Sequence, residues 1–79
     1  MTGKPRPPGA RSRIVGANVR AAREKKGLTQ AALGELLDGS QGMVLNIENA
    51  RTQMTVERLL DVAAALGVKP AKLLEGAER

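Results

Sequence analysis

The sequence predicts an all-α domain, a compact bundle of about five short helices. Phe, Tyr and Trp are absent although 42% of the 79 residues are apolar, so the core must be aliphatic. The β-branched residues are few and never alternate with polar ones, which excludes the pattern of a half-buried strand. Residues that favour helix ends recur at short intervals along the chain. Its length corresponds to one small domain.

The first 11 residues predict a flexible basic arm, because they hold three prolines, two glycines and three basic residues but almost nothing apolar. Ser12 is the predicted N-cap of the first helix, and Gly27 is its predicted end. The predicted buried face has helical spacing and consists of Val15, Val19 and Ala22.

Two very short helices are predicted next. Thr29 caps the second helix, and Asp38-Gly39 ends it because both residues tolerate a positive φ. Ser40 caps the third helix, which spans 40–48. The predicted inward residues are Leu33, Leu36 and Leu37 in the second helix and Val44, Ile47 and Glu48 in the third.

The remaining chain predicts a loop at 49–54 and two further helices. Thr55 caps the fourth helix and Gly67 ends it, while Pro70 begins the fifth and Gly76 ends it. The predicted inner face of the fourth helix is Val56, Leu59, Leu60, Ala63 and Leu66. The domain is therefore expected to span 12–76, followed by a short tail, 77–79.

The composition excludes most enzyme chemistry. Cys and His are both absent, so the chain has no thiolate nucleophile, no disulfide, no cysteine-type zinc site and no histidine to act as general base or metal ligand. Its carboxylates form no evident acid–base pair. We therefore expect no catalysis, no metal and no cofactor. No apolar run approaches the ~18 residues of a membrane span, and the start is not a secretory signal, which predicts a cytoplasmic protein with no membrane partner.

Charge is distributed unevenly along the chain. Residues 1–27 carry eight basic side chains and one acidic one, whereas residues 28–79 carry five basic and seven acidic side chains. This asymmetry predicts an anionic partner, either nucleic acid or an anionic membrane surface. The helices at 29–37 and 40–48, joined by a tight turn in a basic helical domain, have the arrangement of a helix-turn-helix.

The residues of this unit and its surroundings resemble the Cro/cI-type (Xre) helix-turn-helix family of bacterial and phage transcriptional regulators. The resemblance covers residues 14–75. It is carried by Leu28-Thr29-Gln30-Ala31-Ala32-Leu33, Ser40-Gln41, Val44, Ile47-Glu48, Thr55-Val56-Glu57, the run 59–68 and Leu73-Leu74. It implies a lambda-repressor-like fold and sequence-specific binding of double-stranded DNA, located at the nucleoid, with helix 40–48 in the major groove.

The resemblance also implies roles for individual residues. Gln41 matches a glutamine that reads an adenine edge, and Gln30 matches one that binds a phosphate and braces its partner. Arg23 and Glu48 match a buried ion pair that positions the recognition helix. The other expected base-reading positions are Gly42, Leu45 and Asn46. The other expected phosphate contacts are Thr29, Met43, Asn49, Arg51 and Thr52.

Several positions depart from the family pattern and leave an alternative open. Relatives usually carry polar residues where this chain has Gly42 and Met43, and Leu45 replaces a common serine. Met43 and Leu45 could instead form an apolar patch for a protein partner, such as another regulator or a toxin, with only weak DNA affinity from charge. The basic arm is either a DNA contact or a solubilising tail.

The family also predicts a homodimer on DNA, with half-sites about 34 Å apart. We expect the dimer contact at Leu73, Leu74 and the fourth helix.

Overall fold

A computed structural model describes residues 9–77, and within that range it contains five α-helices and no strand. The predicted all-α class is confirmed. The helices are α1 (Ala10–Lys26), α2 (Gln30–Leu36), α3 (Gln41–Glu48), α4 (Val56–Leu66) and α5 (Pro70–Leu73). Residues 1–8 of the predicted arm and residues 78–79 of the predicted tail lie outside the described range.

Three helices begin at the predicted caps. The hydroxyls of Thr29, Ser40 and Thr55 each accept a hydrogen bond from the N–H three residues ahead, at 3.0, 3.1 and 3.0 Å. The prediction for α1 was wrong, because α1 begins at Ala10 after an extended Gly9 and has no side-chain cap. The Gly9 carbonyl accepts the first helical bond, from the Arg13 N–H at 3.2 Å, so Ser12 lies inside the helix.

Four helices end in the same backbone arrangement, a Schellman motif with one left-handed residue just beyond the helix. Glycine is that residue after α1 and α4, at Gly27 (φ 81°) and Gly67 (φ 70°), as predicted. After α2 it is Asp38 (φ 58°), and after α3 it is Ala50 (φ 57°). The two helices of the predicted helix-turn-helix are therefore the two whose ends place a side chain in the region that glycine prefers.

The core is an aliphatic cluster to which all five helices contribute. Its buried members are Val19, Leu33, Leu37, Val44, Ile47, Val62, Ala63, Leu66 and Leu73. Most were predicted, but Leu36, Val56 and Leu60 are exposed by 57%, 73% and 48% rather than turned inward. Leu37, four positions after Leu33, faces the core, and the neighbouring Leu36 therefore points to solvent. In α4 the buried face is centred on Val62.

Candidate nucleic-acid interface

Close backbone contact fixes the angle between α2 and α3. Gly34 is buried in α2, and a Cβ there would lie 2.7 Å from both the carbonyl carbon and the carbonyl oxygen of Ser40. Real Cβ atoms do not approach so closely, so only glycine allows the start of α3 to rest on α2 in this way. The turn is completed by the Gly39 N–H, which donates to the Gly34 carbonyl at 2.8 Å.

Met43 packs inward over this turn. A Cβ on Gly39 would lie 2.7 Å from the Met43 sulfur, and the Met43 side chain is half-buried against the core. Its backbone N–H already donates to the Ser40 hydroxyl at 3.1 Å. The assignment of Met43 as a phosphate contact therefore has no support, since its amide is engaged and its side chain has no hydrogen to donate. In the alternative Met43–Leu45 patch for a protein partner, Leu45 is 40% exposed but Met43 is only partly exposed.

The outer face of α3 carries the expected base-reading residues. Gln41, Gly42, Leu45 and Asn46 are all exposed, whereas Val44 and Ile47 on the opposite face are buried. The described structure thus brings a glutamine amide, an asparagine amide and one half-exposed leucine onto a single helical surface. That surface has the donors, acceptors and apolar contact by which proteins read base edges in the major groove.

The predicted ion pair between Arg23 and Glu48 is present and buried. The Arg23 Nε donates to Glu48 Oε2 at 2.6 Å and its Nη2 donates to Oε1 at 3.2 Å, while the Glu48 side chain is only 2% exposed. This hydrogen bonding to Glu48 raises the pKa of the Arg23 guanidinium above its already high ordinary value, although burial opposes the shift. Arg23 Nη1 also donates to the Leu28 carbonyl at 2.8 Å, so one side chain joins α1, the loop before α2 and α3.

Gln30 joins the same cluster. Its Nε2 donates to Glu48 Oε1 at 3.1 Å, so the Glu48 carboxylate accepts bonds from both α1 and α2. The family resemblance implies a phosphate contact and a brace to Gln41; in the described structure Gln30 instead braces Glu48. One hydrogen of its Nε2 remains to donate elsewhere.

The other expected phosphate contacts lie around the two helix ends. Thr29 is exposed at the start of α2, but its hydroxyl is occupied as the cap acceptor for the Ala32 N–H. Asn49, Arg51 and Thr52 are exposed in the loop after α3. The Arg51 N–H donates to the Asn46 carbonyl at 2.8 Å, as the Schellman motif requires, so the backbone holds Arg51 beside the end of α3.

Besides Gly34, three supporting residues were not predicted. A Cβ on Gly16 would lie 2.6 Å from the Glu48 carbonyl oxygen and 2.7 Å from that of Ile47, so glycine lets α1 approach the end of α3. The Asn18 amide donates to the carbonyls of Leu73 and Glu75, both at 2.9 Å, and thereby ties α1 to the end of α5. Arg58 Nη1 donates to the Leu37 carbonyl at 3.3 Å.

These residues carry little signal in the sequence, since a glycine inside a helix and an isolated Asn or Arg reveal their roles only when the partner element is known. Among residues 9–77, no group of three or more acidic side chains is arranged to hold a metal ion. In the same range, none of the helices combines the length and apolarity needed to cross a membrane.

Comparison with known proteins agrees with this geometry. Residues 19–73 match the family model for the helix-turn-helix. Repressor protein C2 of Salmonella phage P22 is 34% identical over 65 residues, which are 82% of this chain. The chain spans only 30% of the length of that relative.

Solved structures show the same fold. The clp gene regulator ClgR from C. glutamicum superposes with a TM-score of 0.81 at 32% identity, covering 87% of this chain and 90% of that one. The P22 c2 repressor in complex with a synthetic operator superposes with a TM-score of 0.71 at 35% identity, covering 78% and 94%. The restriction-modification controller protein C.AhdI from Aeromonas hydrophila gives 0.78 at 28% identity, covering 82% and 98%. The chain therefore belongs to the Cro/cI-type helix-turn-helix family of DNA-binding transcriptional regulators.

Proposed function

We propose that this chain binds a specific double-stranded DNA operator as the reading domain of a transcriptional regulator, most simply a repressor, with α3 in the major groove. The observation that supports this most directly is the outer face of α3. It is exposed and carries amide side chains. Gly34 allows α3 to pack closely on α2, and the Arg23–Glu48 pair joins α3 to α1. The regulator acts by occupying its site, without a catalysed step, and its DNA partner places it at the nucleoid in the cytoplasm.

Gln41 and Asn46 are the proposed hydrogen-bonding base readers. A glutamine or asparagine amide presents a donor and an acceptor together, which matches N7 and the N6 amino group of adenine. Leu45 offers an apolar contact for a thymine methyl group, and Gly42 lets the backbone approach the base edges. An operator with A·T pairs at the positions that these residues contact follows from this set.

The proposed phosphate contacts flank these readers. Arg51, Asn49 and Thr52 lie at the end of α3, while Gln30 lies at the start of α2. Phosphate contacts position a protein on the duplex without reading its sequence. Arg51→Ala should therefore weaken binding equally on all duplexes and reduce the slope of log affinity against log salt by about 0.9.

The decisive experiment is selection from a random duplex library, followed by affinity measurement on the enriched sequence. Gln41→Ala should weaken operator binding by about 1–3 kcal/mol and leave non-specific binding almost unchanged. Gln53→Ala is the matched control for base reading, because Gln53 is also an exposed glutamine but lies in the loop beside the proposed phosphate contacts. Its loss should leave the preference for the operator over other duplexes unchanged. An equal loss on all sequences, or no enriched sequence from folded protein, would refute the proposed reading function.

We further propose a homodimer that forms through the outer side of α4. The expectation for Leu73 was wrong, since this residue is fully buried, but Leu74 is half-buried and lines a cavity of about 330 Å³ together with Val56 and Leu59. Val56 and Leu60 extend this apolar surface along α4. Burying such a surface against its own copy follows the two-fold rule by which one patch serves both subunits.

Sedimentation tests the dimer. Val56→Glu should shift the protein toward monomer, because it places a carboxylate in the apolar contact, whereas Leu36→Glu should leave the dimer intact. Leu36 is the control because it is also an exposed apolar residue but belongs to α2. A wild-type protein that stays monomeric on its operator would refute the dimer while leaving DNA reading untouched.

A further inference from the structure

A second cavity, of about 480 Å³, opens on a different part of the surface. It lies between the C-terminal half of α1 and the region where α4 leads into α5, and no residue of α2 or α3 lines it. Its aliphatic lining consists of Ala21, Ala22, Leu66 and Val68, and its lysines are Lys25, Lys26 and Lys72. We refer to it as the lysine groove. The proposed base readers are on α3, so none of them lines this groove.

Three lysines and one acidic residue, Glu75, line the groove, so the lining keeps a net positive charge. Lys72 pairs with Glu75 at 3.5 Å in an exposed ion pair, which is worth little in solvent. Lys25 and Lys26 are exposed and form no ion pair with the described residues. They lie in the last turn of α1, where the helix dipole favours positive charge. That accounts for their sign but not for the apolar surface between them and Val68.

The lysine groove has an aliphatic floor and a basic rim, and this combination restricts the class of ligand that it can bind. The floor is formed by Ala21, Ala22, Leu66 and Val68, and the rim by Lys25, Lys26 and Lys72. A nucleic-acid backbone would pair with the lysines but leave the floor against polar phosphates. A purely aliphatic ligand would fill the floor and leave the lysines unpaired. We propose that the lysine groove docks an acidic segment of a partner protein, one that places an aliphatic side chain on the floor and carboxylates against the lysine rim.

The proposal is tested with the full chain and short synthetic helical peptides. The first probe is made of leucine, alanine and glutamate, and the control peptide keeps every glutamate but has serine for leucine. Amide NMR shifts of isotope-labelled protein follow binding at low and high salt. The leucine peptide should give saturable shifts centred on the groove residues of α1 and on Leu66 and Val68. The serine peptide should bind about tenfold more weakly, and added salt should weaken both.

Variants at exposed positions distinguish peptide binding in the lysine groove from general attraction to the positive charge of the protein. Lys25→Glu combined with Lys26→Glu should reduce affinity for the leucine peptide about tenfold or more. Lys69→Glu, an exposed lysine that does not line the groove, should have little effect. Ala21→Glu should also abolish binding by placing a carboxylate in the floor. Circular dichroism confirms that each variant is folded.

Three outcomes would overturn the proposal. The first is the absence of saturable shifts at the groove, and the second is equal binding of the leucine and serine peptides, which would reduce the effect to charge alone. The third is a self-associated protein that dissociates on charge reversal at Lys25 and Lys26, since the occupant would then be a second copy of the chain. None of these outcomes depends on whether the operator is found.

Discussion

The contact between α1 and the end of α3 can be tested with a single added methyl group. In Gly16→Ala, the new Cβ would lie 2.6 and 2.7 Å from two backbone carbonyl oxygens, so α1 must move away from α3. Overpacking of this kind costs about 1–3 kcal/mol, and a clash with two backbone carbonyls of α3, which cannot rotate away as a side chain can, belongs at the upper end. Alanine recovers about 1 kcal/mol of helix propensity. We therefore expect a net loss of about 2 kcal/mol in the free energy of unfolding.

Gly42→Ala is the matched control, because it is the same substitution inside another helix. A Cβ there would meet only the Ser40 hydroxyl, at 3.8 Å, so the variant should gain up to about 1 kcal/mol. Urea unfolding followed by circular dichroism suits a chain without aromatic residues. The urea midpoints of the two variants should shift in opposite directions from that of the parent protein. A Gly16→Ala protein as stable as the parent would refute the argument that glycine is needed for the approach of α1 to α3.

Three further predictions concern stability by the same assay. Arg23→Met should lower the free energy of unfolding by about 3–5 kcal/mol, because it leaves Glu48 charged, buried and without its ionic partner. Arg20→Met, which removes a highly exposed ion pair, should change it by less than about 1 kcal/mol, and equal losses would contradict burial as the cause. Asp38→Gly should raise stability by up to about 1 kcal/mol by relieving a left-handed side chain, and an unchanged midpoint would count against strain there. Thr55→Ala should cost about 1 kcal/mol through the lost cap of α4, and an unchanged urea midpoint would contradict that role.

Much of the fold was predictable because its signals are local. A hydroxyl cap such as Ser40 and a stop such as Gly67 act within one turn of the chain, so their meaning does not depend on distant residues. Helical spacing likewise placed Val44 and Ile47 in the core. The family register then supplied the Arg23–Glu48 pair, which spacing alone could not have revealed, because its members are 25 residues apart.

The predictions from the sequence fail at positions where the neighbouring helix determines which way a side chain points. Leu36 and Leu37 are equally suited to an inner face, and only the position of the neighbouring helix directs Leu37 inward. Met43 looks outward by its register, yet Gly39 opens a space over the turn into which its flexible side chain folds. The roles of Gly16 and Gly34 depend on distances to another helix, and no pattern along the chain encodes those distances.

The location of Glu48 has a consequence for how the recognition helix acquires its shape. Its carboxylate lies in the last turn of α3, the end of a helix where negative charge is unfavourable, and eight residues are too few to form a stable helix in isolation. The compensating charge comes from Arg23, on a different helix. α3 therefore depends on the docking of α1, and the reading surface should become ordered in the same cooperative step as the rest of the domain. A partly folded chain would offer DNA its positive charge but no sequence preference.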